Sequence, residues 1–167
     1  MSISEEFEKL PREFFPNHIA IIPNGNRTWA KQKGLSAQEG HKLGVEVLIN
    51  FARKMREWGI HTATVWGSST ENLVSRDPLE VANLVKLLHY VLDTTAQEAN
   101  EAGAKFVHLG NKNMLPREVV EKITFWEDKT LYNNKYVINV AFGYGGHDEL
   151  LRAMQKAFDD VQNGVIA

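Results

Sequence analysis

The sequence predicts an α/β fold with a mainly parallel sheet and helices on both faces. A strand pattern followed by a helix pattern recurs four times between residues 18 and 162. The first strand, HIAII, is a continuous apolar run, which is typical of a strand buried on both faces of a parallel sheet. We therefore expect right-handed crossovers and binding sites beyond the carboxyl ends of the strands.

The first unit pairs HIAII with a helix whose two ends are marked in the sequence. Ser36 and Glu39 form a capping box at its start, and Gly59 ends the pattern. Between these ends, the apolar residues recur at helical spacing: Leu43, Val47, Phe51, Met55 and Trp58. The β-branched run HTATVWG then predicts the second strand.

The remaining units follow the same order. Asp77 as N-cap and Pro78 at the first helical position predict a long helix towards Gly103. AKFVHLG predicts the third strand, Pro116 to about Lys129 a helix, and KYVINVAFG the fourth strand. The last helix, from His147 or Asp148 to about Gln162, is expected to bury Leu150, Leu151, Met154, Phe158 and Val161.

Composition indicates a single α/β domain over residues 1–167, with 1–17 as an N-terminal extension and 18–162 as the core. The formal net charge of -2 supplies no general attraction for nucleic acid. The absence of cysteine excludes disulfides and thiolate metal sites and suits the cytoplasm. The sequence shows neither a signal peptide nor an apolar run of membrane-spanning length, so we expect at most peripheral membrane contact.

Four polar loops follow the strands: PNGNRTW, GSSTENLVSR, GNKN and GYGGHDE. Glycine and small polar residues let backbone N–H groups approach an anion, and the positive end of a following helix would assist. Turn formation explains the same composition in any one loop. Neither a Walker pattern nor G-x-G-x-x-G follows the first strand, so the sequence gives little support for a nucleotide site.

Taken together, HIAIIPNGNRTWAKQKG, EGHKLG, SSTEN and NVAFGYGGHDELLRA resemble the cis-prenyltransferase family of undecaprenyl diphosphate synthase, also called isoprenyl transferase. The resemblance runs from His18 to about Ala153. It implies an undecaprenyl diphosphate synthase-like fold, a homodimer and Mg²⁺-dependent condensation of isopentenyl diphosphate with an allylic diphosphate. It also implies a hydrophobic tunnel beside the long helices, for which the candidates are Leu84, Val85, Leu87, Leu88 and Val91, although core packing is an alternative role.

Several positions depart from the family pattern. Asn24 stands where the family has the aspartate expected to bind Mg²⁺, and a neutral amide binds a hard cation less strongly. Thr28 and Ala37 stand at positions of phosphate-binding arginines. The chain also ends before the family's Arg-x-Ser-Gly-Glu segment and last strands, which supply the isopentenyl diphosphate site. We therefore expect impaired catalysis and assign no residue of this chain as a metal ligand.

The resemblance identifies Asn24 and His41 as the catalytic candidates. The substrate-binding candidates are Gly25, Asn26, Arg27, Thr28, Trp29, Ser69, Glu71 and Asn72. Structural roles compete with these assignments, since a tryptophan often anchors packing and a serine or asparagine often fixes a turn.

Three hypotheses follow for the function. The chain is an isoprenyl transferase homologue that binds an allylic diphosphate, or a noncatalytic isoprenyl-diphosphate-binding or partner subunit that another chain completes. The third, an unrelated phosphate-binding α/β protein, leaves the ordered motifs unexplained.

Overall fold

A computed structural model describes residues 9–166, and part of the predicted N-terminal extension, residues 1–8, lies outside that range. Within the described range, four strands form one sheet in the order β1-β2-β4-β3. All neighbouring strands pair in parallel, so the predicted α/β class with a parallel sheet is confirmed. The strands are β1 (His18–Ile21), β2 (Thr62–Ser68), β3 (Ala104–Leu109) and β4 (Tyr136–Phe142).

Within residues 9–166, six α-helices connect and follow these strands: α1 (Asn26–Gln32), α2 (Ala37–Glu57), α3 (Thr70–Ser75), α4 (Pro78–Glu101), α5 (Arg117–Lys129) and α6 (Gly146–Gln162). Short 3-10 turns lie at Arg12–Phe14 and Lys112–Met114. The predicted caps are confirmed: Ser36 and Glu39 form both bonds of the capping box, and Asp77 accepts the Leu79 N–H at 2.9 Å. Helices α1 and α3 form where the sequence predicts only loops.

The hydrophobic core lies against one face of the sheet. The strand register aligns Ile19 with Ala63, Ala63 with Ile138, and Ile138 with Phe106, so these four side chains share a face. Helices α2, α4 and α5 pack on it. The larger buried cluster is Leu84, Leu88, Leu92, Ala96, Phe106, Leu115, Val119, Ile123, Trp126 and Phe142. A second buried cluster contains Met55, Ile60 and Ala63.

Helix α2 forms where the spacing predicts it, but the residues that define the spacing are not all buried. Met55 is buried, but Leu43 and Val47 are 39% and 67% exposed. The side of α2 that faces the sheet and α4 instead presents Val45, Leu48, Ile49 and Ala52. Apolar residues lie on both sides of this helix, and periodicity alone does not identify the inward one.

The prediction that α6 buries its apolar residues is wrong. The helix forms, but Leu150, Leu151, Met154, Phe158 and Val161 are between 52% and 69% exposed. An amphipathic pattern fixes the helix and its apolar face, whereas the element that covers this face depends on tertiary structure. Among residues 9–166, no helix combines the length and the apolarity needed to cross a membrane.

Candidate functional site

The first loop leaves β1 at the carboxyl edge of the sheet and turns directly into α1. Gly25 permits this turn, because its φ of 87° lies in the left-handed region that favours glycine. The side-chain oxygen of Asn24 accepts the Gly25 N–H at 2.7 Å. Asn24 therefore stabilises its own turn instead of directing both amide groups outward.

The start of α1 offers backbone donors. No side chain caps this helix, and its first recorded turn bond joins the Trp29 N–H to the Gly25 carbonyl at 2.8 Å. The N–H groups of residues 26–28 consequently have no acceptor within the helix. Arg27 and Thr28 are exposed beside them, and Trp29 is 43% exposed. Such a helix start is suited to an anion.

Asn26 and Ala30 hold α1 against α2. A Cβ added to Gly40 would lie 2.5 Å from the Asn26 carbonyl oxygen and 2.7 Å from the Ala30 Cβ. At Gly44 it would lie 2.6 Å from the Asn26 side-chain nitrogen. The two glycines thus allow a close approach, and Asn26 contributes to packing as well as to the first loop.

His41 joins the first loop to a charged cluster that includes Arg76 and Glu80, two residues that are not among the sequence-predicted site residues. Glu80 Oε1 lies 2.6 Å from Arg76 Nη1, 3.7 Å from Arg27 Nη1 and 3.8 Å from His41 Nε2. Burial lowers the pKa of His41, the charge of Glu80 opposes that shift, and Arg76 and Arg27 reinforce it.

Arg76 and Glu80 were missed because their sequence context also suits the start of a helix. They flank the Asp77 cap and form an i,i+4 pair, which is a common surface feature. The available signal was that Arg76 ends the polar loop GSSTENLVSR and that Glu80 follows it by one helical turn. Only the fold brings them to His41 and Arg27, which lie far from them along the chain.

The candidates after β2 form a second group around the start of α3. The Ser69 hydroxyl accepts the Asn72 N–H at 3.0 Å and caps the helix. Hydrogen bonds from the Glu71 backbone N–H and from the Ser69 and Thr70 hydroxyls lower the pKa of the Glu71 carboxyl group. Ser69 and Asn72 therefore both contribute to the turn.

The loop after β4 approaches this second group closely. The Tyr144 N–H donates to the Ser68 carbonyl at 3.2 Å. A Cβ added to Gly145 would lie 2.5 Å from Thr70 Oγ1, so glycine is required for this approach. The second and fourth predicted loops therefore meet, as expected for neighbouring parallel strands.

An apolar cavity of about 220 Å³ lies between α2, α4 and the sheet. Asn26 and His41 line one end of it, beside the charged cluster. Of the predicted tunnel residues, Leu84, Leu87, Leu88 and Val91 line this cavity, and Val85 instead packs on the hydrophobic core. The charged cluster therefore lies at the edge of this apolar cavity.

Charged residues also line the cavity further along α2. Arg53 Nη2 lies 2.7 Å from Glu98 Oε2, and Arg56 Nη1 lies 3.6 Å from Glu98 Oε1. Hydrogen bonds from Arg53 lower the pKa of Glu98. His41 and Arg53 are separated by roughly 18 Å along the helix, at about 1.5 Å per residue. The cavity thus has an apolar middle and ion pairs near both ends.

The first loop does not fit a Mg²⁺ ion held by the protein. Asn24 contributes a neutral oxygen that already accepts a backbone N–H. Within residues 9–166, no group of three or more His, Cys, Asp or Glu residues could hold a metal ion. Because hard divalent cations favour carboxylate oxygens, we assign no chemical step to Mg²⁺.

The fold and the site define an α/β protein in which a charged cluster at the carboxyl edge of the sheet lies beside an apolar cavity. Residues 22–166 match the profile of the undecaprenyl diphosphate synthase family of prenyltransferases. The chain belongs to this family, as its motifs predicted.

Individual relatives agree with this assignment. The chain is 34% identical to an isoprenyl transferase of Leptospira interrogans, over 91% of this chain and 63% of the relative. It is 35% identical to dehydrodolichyl diphosphate synthase 1 of Arabidopsis thaliana, over 94% of this chain and 52% of the relative. The chain therefore spans between half and two thirds of these relatives.

A solved structure shows the same fold. Lavandulyl diphosphate synthase from Lavandula x intermedia, in complex with dimethylallyl diphosphate, superposes with a TM-score of 0.85 at 30% identity. The match covers 92% of this chain and 66% of that structure.

Proposed function

We propose that this chain binds an allylic isoprenyl diphosphate, with the diphosphate at the first loop and the prenyl tail in the cavity. The observation that supports this proposal is the junction of an apolar cavity with the cluster of Arg27, His41 and Arg76. A molecule with a charged head and a long apolar tail matches both parts.

The two parts of such a ligand would be bound by different forces. Burial of the tail contributes about 0.8 kcal/mol for each methylene group removed from water. The diphosphate would accept hydrogen bonds from the guanidinium groups and from the uncapped start of α1. Neither force depends on a carboxylate at position 24.

We propose further that this chain alone turns over substrate poorly. Departure of diphosphate places negative charge on oxygen, which cationic groups must stabilise in the transition state. Asn24, Thr28 and Ala37 supply no charge at positions where the family resemblance implies an aspartate and two arginines. The homodimer and the cytoplasmic location remain predictions.

A second candidate is a noncatalytic partner subunit. The exposed apolar side of α6 favours it, since Leu151 and Phe158 are 67% and 59% exposed. This role is compatible with binding of the same diphosphate.

Calorimetric titration tests the proposed binding with three probes: a nonhydrolysable farnesyl diphosphate analogue, farnesol and inorganic diphosphate. We expect the analogue to bind more tightly than either part. The Mg²⁺ dependence should be small for the wild type and larger for Asn24→Asp, because the variant regains a carboxylate. Absence of analogue binding would reject the proposal, and equal, strong Mg²⁺ dependence of both proteins would reject the role given to Asn24.

Turnover is tested with radiolabelled isopentenyl diphosphate, farnesyl diphosphate and Mg²⁺. The Asn24→Asp, Thr28→Arg, Ala37→Arg triple variant is assayed beside the wild type. We expect no efficient elongation by the wild type. Rapid product formation would show that other groups replace the missing charges.

A further inference from the structure

Glu80 is the shared anionic contact of three side chains at the mouth of the cavity. Its Oε1 atom lies 2.6 Å from Arg76, 3.7 Å from Arg27 and 3.8 Å from His41. Its side chain is 23% exposed, against 24% for Arg76 and 16% for His41. Glu80 thus faces the same groups that would contact a bound diphosphate.

One buried polar atom of this cluster, Nε2 of His41, lacks a hydrogen-bond partner. The distance of 3.8 Å to Glu80 is too long for a hydrogen bond. A buried polar atom without a partner is unfavourable, so a ligand oxygen near Nε2 would stabilise the site.

The balance of charge in the cluster also favours the binding of an anion. Two arginines contribute two positive charges, and Glu80 contributes one negative charge through an oxygen that only Arg76 reaches at hydrogen-bond distance. A diphosphate has more charge and more oxygen atoms than one carboxylate. It could therefore engage Arg27, Arg76 and His41 together, which Glu80 does not.

Resting on the proposed function, we infer that Glu80 is an internal counter-ion that holds Arg76 and its neighbours in the free protein and competes with the diphosphate for them. Glu80 lies in the first turn of α4. A carboxylate is favourable at that end of a helix even without the arginines. If a diphosphate displaced Glu80 from Arg76, the positive end of α4 would still stabilise the Glu80 carboxylate.

If Glu80 positions Arg76 instead of competing for it, neutralising Glu80 should have the opposite effect on diphosphate binding. If Glu80 chiefly orients Arg76 for the diphosphate, its neutralisation would weaken binding. If it competes for Arg76, its neutralisation would strengthen binding, because repulsion and competition are both removed.

Titration of inorganic diphosphate at low ionic strength, without Mg²⁺, separates these roles. Inorganic diphosphate is the probe because it has no tail and reports only on the site proposed for the diphosphate. We compare the wild type with Glu80→Gln, which keeps the shape of the side chain and removes its charge. The matched control is Glu121→Gln, since Glu121 also pairs with an arginine, Arg117, at 2.7 Å but on the exposed surface of α5.

We expect Glu80→Gln to bind inorganic diphosphate roughly tenfold more tightly than the wild type, and Glu121→Gln to bind like the wild type. Unchanged or weaker binding by Glu80→Gln would overturn the inference. A circular dichroism melt of each variant verifies folding, and Glu80→Ala provides a second neutral variant should Glu80→Gln fail to fold.

The farnesyl diphosphate analogue separates the inference from the function on which it rests. If the analogue binds and Glu80→Gln gains no affinity for inorganic diphosphate, the proposed function remains and the counter-ion role is rejected. If neither probe binds any variant, both are rejected.

Discussion

At the scale of single residues, His41 shows how burial and charge act on one ring. Burial favours its neutral form, Glu80 favours the charged form, and the arginines oppose charging. The protonation state of His41 therefore reports on the balance of charge at the mouth of the cavity.

This balance gives a direct prediction for Glu80→Gln. Removing the carboxylate removes the contact that raises the pKa of His41, so the pKa should fall further below its ordinary value of 6.5. A pH titration of the ring resonances by NMR measures this change. A higher or unchanged pKa would mean that Glu80 does not act on His41 through its charge.

Residue identity alone indicated part of the candidate site. The unusual residues at positions 24, 28 and 37 were visible in the sequence, and so was the retained His41. The roles of Arg76 and Glu80 were not visible, because the contacts of Glu80 with Arg27 and His41 are long-range. Local patterns explained them equally well as the start of a helix.

At the scale of elements, Gly40 and Gly44 determine how closely α1 packs on α2. They lie one turn apart on α2 and face Asn26 and Ala30. The first loop is therefore positioned by a helix contact as well as by β1.

Gly40→Ala should destabilise this contact. The added Cβ would lie 2.5 Å from a backbone oxygen of Asn26, so α1 must shift. We expect the free energy of unfolding to fall by about 1–3 kcal/mol, as for other overpacked sites. Urea denaturation measures it, with Gly146→Ala as the control because no atom lies within 4 Å of the added Cβ. Equal stability of Gly40→Ala and the wild type would contradict the close contact.

The elements themselves were largely predictable, because capping residues and apolar periodicity are local. Ser36 and Asp77 marked the starts of α2 and α4 correctly. The buried faces were less predictable. Val47 follows the helical period yet is 67% exposed, because the inward side of α2 is set by α4 and the sheet. The exposed side of α6 has the same explanation, since periodicity does not specify a partner.

At the scale of the whole molecule, the buried His108 and the half-buried His41 should make stability depend on pH near neutrality. Burial lowers the pKa of both His41 and His108. Between the lowered pKa and the ordinary value of 6.5, the unfolded chain binds more protons than the folded one. The contribution of these histidines to the free energy of unfolding is therefore complete above pH 6.5, and it decreases as the pH falls towards their lowered pKa values.

We expect the free energy of unfolding to decrease from about pH 7.5 to about pH 5.5. Glu39, Glu71 and Glu98 act at lower pH, because their pKa values lie below the ordinary 4.5. Urea denaturation at both pH values measures the change, and His41→Asn should reduce it. A protein that is equally stable at both pH values would contradict the burial of these rings.

In the proposed complex, one ligand spans the charged cluster and the cavity. Ala52 lines the cavity from α2, whereas Val47 lies on the same helix and is 67% exposed. Ala52→Trp should therefore fill the space proposed for the tail, and Val47→Trp provides a control with the same new side chain on the outer surface.

The most direct measurement is the affinity of both variants and the wild type for the farnesyl diphosphate analogue and for inorganic diphosphate. We expect Ala52→Trp to lose roughly tenfold or more in affinity for the analogue, since tail burial is lost. Its affinity for inorganic diphosphate should not change, and Val47→Trp should bind both probes like the wild type. Analogue binding by a folded Ala52→Trp at wild-type affinity would contradict the account, because the tail would then lie elsewhere.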